Sequence, residues 1–375
     1  MKKMLWLALL VSLAVPLHEA RASGWRKDSS ALAKANLHMK GRIVDFTANH
    51  GGDYRMWSPA MGQKRDLYVY LPPCYDPNMR YPFMIYMHGF GVDEQSFLDI
   101  APLIDEAIQC KKLPPLIIAV PDGSPKGEPS LHAPASFFLN SEAGPFEDFV
   151  LQDVWDFVCK RYPIRTERQA HILAGVSMGG FAAYNYGMRH RDTFGTVAGV
   201  FPPLNLRWMG DSGSYRDKFD PRHWGWRENI DNPNEVIAGF GLAKVRIGHL
   251  IGPVWGVGPE AMAAVASHNP IELIDRTHLR DGQLAMYIAY GGKDEFNIDA
   301  QVESFLYLCK FRGITVHVGF DPDGHHDKFT AVRLLPSLFE FLNREIGCYA
   351  PVACDACGTC AGGACCEGAC SRIRK

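Results

Sequence analysis

The sequence has no excess of either charge. Its 375 residues carry 39 Lys and Arg against 41 Asp and Glu, a formal net charge of −2. A surface built to neutralise phosphates needs a clustered basic excess. The balance therefore argues against nucleic acid or an anionic membrane surface as a partner. Long apolar runs are also scarce. The run Met4 to Leu17 is shorter than the roughly 20 residues that span a bilayer. The 14 histidines fall in no metal-ligand spacing, so no metal or other cofactor is expected. No repeat at solenoid or propeller period is present. Cysteine is sparse in the body, at Cys74, Cys110, Cys159 and Cys309.

What is there begins with a basic start, Met1-Lys2-Lys3. The apolar run follows, then the small residues Ala20 and Ala22 at the positions a signal peptidase reads. This layout predicts a secretory signal over residues 1–22 cleaved after Ala22, and a secreted or periplasmic protein. An uncleaved anchor is the alternative. A body over residues 23–347 follows, 47% of the chain being hydrophobic and 21% charged, as in ordinary globular domains. Residues 348–375 form a tail holding seven cysteines, with Cys354-x2-Cys357-x2-Cys360 and Cys365-Cys366-x3-Cys370. In an exported chain these favour disulfides; zinc or an iron–sulfur cluster would need a reducing compartment. Seven is odd, so one thiol is expected to pair with a body cysteine or another molecule, as in surface attachment.

The body alternates short apolar strands with helical segments. Strands are expected at Arg42–Thr47, Asp66–Leu71, Tyr81–Met87, Leu116–Val120, His171–Val176, Thr196–Phe201, Ala285–Tyr290 and Thr315–Phe320. Helices are expected over 145–161, Gly179–Arg189, Asp299–Arg312 and Ala331–Ile346. Such alternation requires crossover connections, hence an α/β fold with a mostly parallel sheet and helices on both faces. Sites in such sheets sit at the C-terminal ends of the strands. Residues 203–270 break the rhythm with Gly, Pro, Arg and four tryptophans. They read as an insertion or cap over that edge, or as plain connecting segments.

The sharpest motif is Gly175-Val176-Ser177-Met178-Gly179, between a strand and a helix. A nucleophilic serine needs a tight turn that lifts its hydroxyl above the sheet, and glycines two residues either side make room. The hydroxyl needs a base, and the base a carboxylate to orient it. Downstream, Asp294 follows the strand Ala285–Tyr290, with Glu295 as its neighbour and alternative. His325 follows Gly324 beyond the last strand, with His326 as the alternative. Asp122, Asp321 and Asp327 read as structural or rim carboxylates. The oxyanion of an acyl intermediate needs backbone N–H donors. Met178 supplies one, and Phe90 or Gly89 in His88-Gly89-Phe90-Gly91 the other. His50-Gly51-Gly52 follows no strong apolar strand and is discounted.

Taken together, these segments resemble the "putative esterase" family of α/β-hydrolases. That family includes feruloyl esterases, S-formylglutathione hydrolase, enterochelin esterases and mycolyltransferases. The matching segments are Arg65 to Pro73, Tyr81 to Gly89, Val120 to Gly123, Phe146 to Phe149, Gly175 to Phe181, Arg189 to Phe194, and the Asp294 and His325 loops. The resemblance implies an α/β-hydrolase fold, a Ser177–Asp294–His325 triad, and Phe90 and Met178 as oxyanion donors. The expected reaction is hydrolysis of a small-molecule or polysaccharide-linked carboxylic ester through an acyl-enzyme. Acyl transfer to a sugar or alcohol is one alternative. A catalytically idle attachment scaffold is the other.

Overall fold

The computed structural model describes residues 30–130, 134–240 and 243–351. The expected signal segment and the cysteines beyond Cys348 lie outside the described residues. Among those described, no helix is long and apolar enough to cross a membrane.

Eight strands form the central sheet. In chain order they are β1 (Arg42–Phe46), β2 (Leu67–Leu71), β3 (Phe83–Met87), β4 (Ile117–Pro121), β5 (His171–Val176), β6 (Thr196–Val200), β7 (Ala285–Gly291) and β8 (His317–Asp321). Their spatial order is β1-β2-β4-β3-β5-β6-β7-β8. β2 runs antiparallel to both β1 and β4, and every pairing from β4 to β8 is parallel. The expected strands are all present, with ends displaced by no more than two residues. The inner strands β2 and β4 are buried at every position. That suits strands covered on both faces, and it explains their unbroken apolar sequences.

The helices around the sheet include α1 (Ala101–Gln109), α2 (Trp155–Arg161), α3 (Met178–Arg189), α4 (Ile247–Trp255), α5 (Ile298–Phe311) and α6 (Lys328–Ile346). The helical stretch expected over 145–161 is present, but a π-helical turn, Phe149–Val154, interrupts it before α2. Asp327 caps α6 by accepting from the Thr330 N–H at 2.8 Å. The connection between β6 and β7 carries the irregular sequence. It folds into two small hairpins, Trp208–Gly210 with Trp224–Trp226 and Val236–Phe240 with Ala243–Arg246, followed by α4 and two further short helices. Trp208 is fully buried, and its indole donates to the Tyr215 carbonyl. Trp224 packs between Trp208 and Trp226, and Trp208 joins this hairpin to the main core.

Candidate active site

Ser177 sits between β5 and α3 with φ 53° and ψ −116°. That backbone is costly for a residue with a Cβ and persists only where the surroundings impose it. They do so here. The Ser177 N–H donates to the Val200 carbonyl at 2.8 Å, and its carbonyl accepts from the Phe181 N–H at 3.0 Å. The flanking glycines are a steric requirement. A Cβ on Gly179 would lie 2.1 Å from the Met87 carbonyl oxygen, and one on Gly175 would lie 2.3 Å from the Gly179 carbonyl carbon. β3, β5 and α3 approach so closely that no side chain fits between them.

The carboxylate and the histidines arrive on two loops that touch. The acid loop follows β7 and the histidine loop follows β8. The Gly292 N–H donates to the Asp321 carbonyl, and the Lys293 N–H to the Gly324 carbonyl, each at 2.9 Å. A Cβ on Gly291 would lie 2.3 Å from the Gly324 oxygen, so this approach too requires glycine.

The structure pairs Asp294 with His326 rather than with the expected His325. Asp294 Oδ2 lies 2.7 Å from Nδ1 of His326, not of His325. The Asp294 side chain is fully buried, and His326 is nearly so, its side chain 12% exposed. Phe201 and Phe296 pack on the His326 ring, with centroids 4.9 and 4.8 Å away. His325 instead turns outward and pairs with Glu295 Oε1 at 2.7 Å, its side chain 49% exposed. Glu295 therefore does not replace Asp294. Its second oxygen accepts the His326 backbone N–H at 2.9 Å, which steadies the loop from outside. Adjacent residues on an extended turn point to opposite sides, and the sequence does not say which side is inward. Phe201 and Phe296 are site residues that the sequence reading missed. The only signal for them is their position just past a strand end and just past the acid.

The four pieces meet at one edge of the sheet. Ser177, Phe201, Asp294 and His326 each lie just beyond the C-terminal end of one of the neighbouring strands β5 to β8. The loop after β3 lies against Ser177: a Cβ on Gly89 would sit 3.6 Å from Ser177 Cβ. Phe90 and Met178 line a common cleft with Val92, Ser124, Pro134 and Ser136. His88 is buried and serves structure. Its Nε2 accepts the Gly123 N–H at 2.8 Å, and its Nδ1 lies 2.8 Å from the Gly89 carbonyl. It ties the loop after β3 to the loop after β4.

Buried charge supports those loops. Arg65 binds Asp122 Oδ2 at 2.8 Å and also reaches the Asp122 and Ser124 carbonyls. Burial would raise the Asp122 carboxyl, but His88, Arg65 and Ser124 together hold it below the ordinary range. Asp122 is thus structural, as expected from sequence. So is Asp321, which pairs with Arg333. Glu94, behind the loop after β3, accepts from Asn49 Nδ2 at 2.6 Å. Burial pushes its carboxyl well above the ordinary range, and the charges of Asp122, Asp93 and Asp66 push it further. His50 is engaged elsewhere, its Nε2 2.5 Å from the Tyr68 hydroxyl. No group of His, Cys, Asp and Glu among the described residues is arranged to hold a metal ion.

Comparison with known proteins decides the family. The family model described as "Putative esterase" matches residues 58–331. The chain belongs to this esterase family. The curated relatives include "Esterase Rv1288" of Mycobacterium tuberculosis (strain ATCC 25618 / H37Rv), 29% identical over 246 residues. The match covers 62% of this chain and 45% of that protein. The chain thus spans less than half the length of the curated relatives it matches. Among solved structures, a ferulic acid esterase superposes with a TM-score of 0.57 at 18% identity, covering 82% of this chain and all of that one. An S-formylglutathione hydrolase from Agrobacterium tumefaciens gives 0.56 at 14% identity, covering 81% and 95%. At these identities the likeness concerns the fold, which is that of the α/β-hydrolases.

Proposed function

We propose that this esterase-family chain hydrolyses carboxylic esters through an acyl-enzyme on Ser177. His326 acts as general base and then acid, and Asp294 orients it. The observation that carries this reading is the buried Asp294–His326 pair at the same sheet edge as a serine held in strained backbone. A neutral serine attacks poorly until a base takes its proton, and a fixed carboxylate keeps the imidazole in the productive tautomer. In the forward step the hydroxyl proton passes to His326 Nε2 while Oγ bonds to the acyl carbon. His326 then protonates the leaving alkoxide. Water repeats the sequence and frees the acid. The backbone N–H groups of Met178 and Phe90 hold the oxyanion. Such donors act most strongly where they are preorganised and water is excluded.

The reading requires no cofactor. Ser177→Ala is the test, with a panel of p-nitrophenyl esters as substrates. We expect turnover to fall by at least about 10⁴-fold. Turnover within tenfold of the parent on any ester the parent cleaves overturns the assignment of Ser177.

A further inference from the structure

The long connection between β6 and β7 grips the acid loop. Tyr215 is buried, and its hydroxyl donates to the Phe296 carbonyl. The same hydroxyl accepts from Gln301 Nε2 at 2.9 Å. Its carbonyl accepts from Asn297 Nδ2 at 2.7 Å, and that amide also reaches the Asp217 carbonyl at 3.0 Å. Arg216 Nη1 donates to the Glu295 carbonyl at 2.8 Å. Lys218 pairs with Asp299 at the start of α5. Residues 295, 296, 297 and 299 are thus each held by the segment 215–218.

Phe296 stands at the centre of this arrangement. Its N–H donates to Asp294 Oδ1 at 2.8 Å, and its ring packs on His326 at 4.8 Å. It therefore touches both members of the acid–base pair, and Tyr215 fixes it from behind. Asn297 turns the loop into α5 in left-handed backbone, with φ 54° and ψ 35°. That conformation needs an external hold in a residue bearing a Cβ.

We propose that residues 215–218 are a clamp on the acid loop, with Tyr215 a positioning residue for the Asp294–His326 pair. The proposal rests on the reading of Ser177, Asp294 and His326 as the catalytic triad. The contacts of the long connection with residues 295–299 then act on the pair itself. They set the angle at which the carboxylate meets the imidazole, and small misplacements there reduce the chemical step. Burial, together with the charge of Asp294, pushes the Tyr215 hydroxyl well above its ordinary range, so it keeps the proton it donates.

Tyr215→Phe removes the hydroxyl and keeps the ring. We expect kcat to fall about fivefold, the equivalent of one hydrogen bond, with KM within about twofold. The split is diagnostic, because a misplaced acid–base pair slows the chemical step while ground-state binding of the ester is unchanged. Asn297→Gly tolerates the left-handed backbone while removing the amide, and should act in the same direction. It carries the same comparison if Tyr215→Phe does not fold. Parental kcat in the folded variant overturns the clamp. So does a loss of activity carried by a higher KM, or one that tracks only a lower Tm. Ser177→Ala is measured alongside: retained turnover there is a failure of the triad reading itself, and is distinct from a failure of the clamp.

Discussion

At the scale of single residues, the site turns on which of two adjacent histidines faces inward. His326 is enclosed by Phe201 and Phe296 and bonded to a fully buried carboxylate. His325 is half exposed on a half-exposed partner. An exposed ion pair contributes about 0–1 kcal/mol, whereas a general base contributes roughly 10²–10⁴ in rate. His326→Gln should therefore lower kcat by about 10³-fold or more, and His325→Gln should leave it within about threefold. Steady-state kinetics on one chromogenic ester distinguishes the two, and a larger loss for His325→Gln would reverse the assignment. The glycine pattern around Ser177 was legible because each glycine answers a steric need that sequence spacing reveals. The histidine choice was not, because both residues satisfy the same spacing. Only the side to which the loop turns separates them.

At the scale of elements, the strands were legible because buried parallel strands leave unbroken apolar runs bounded by glycine and proline. The π-helical turn at Phe149–Val154 leaves no such mark. Nor does the packing of the long connection, whose Trp, Gly and Pro content signals irregularity without a partner. The supporting loops also carry a latent instability. Glu94 is buried behind the loop after β3, and its carboxyl is raised well above the ordinary range. The sign follows from proton linkage. Between the unfolded value of about 4.3 and the higher folded value, the native state binds more protons than the unfolded one. Stability therefore declines as pH rises through that window. Glu94→Gln keeps an acceptor for Asn49 and removes the titration. Its Tm should exceed the parent's at pH 8 by roughly 1–2 °C, the shift that about 1 kcal/mol gives in a domain of this size. At pH 4 the two should coincide. A scan that finds the variant less stable at pH 8, or equally shifted at both pH values, contradicts this account of Glu94.

At the scale of the whole molecule, the junction between body and cysteine-rich tail is held by a backbone contact. The sequence changes character at Cys348, yet the short turn Gly347–Tyr349 is tied to the body. Arg165 Nε donates to the Tyr349 carbonyl at 2.7 Å, and the Arg165 N–H donates to the Tyr81 carbonyl at 2.8 Å. Tyr349 thus joins the end of α6 to the entry of β3, at the opposite end of the strands from Ser177. This attachment was hidden in the sequence because it runs through a backbone carbonyl, and any residue type supplies one. Two truncations separate the roles. Removal of residues 352–375 leaves the Arg165 bond intact, so Tm and ester turnover should match the full chain. Removal of residues 348–375 deletes the acceptor of Arg165 Nε and leaves the guanidinium only its Glu167 partner. A lost hydrogen bond of about 1 kcal/mol corresponds to a Tm lower by roughly 1–2 °C. Because the loop His88–Gly91 leaves β3 at its far end, kcat at 25 °C should stay within about twofold in both. Thermal melts and turnover of the two truncations check this. A loss of turnover on removing only 352–375 would assign the cysteines a part in catalysis that the position of the turn does not suggest.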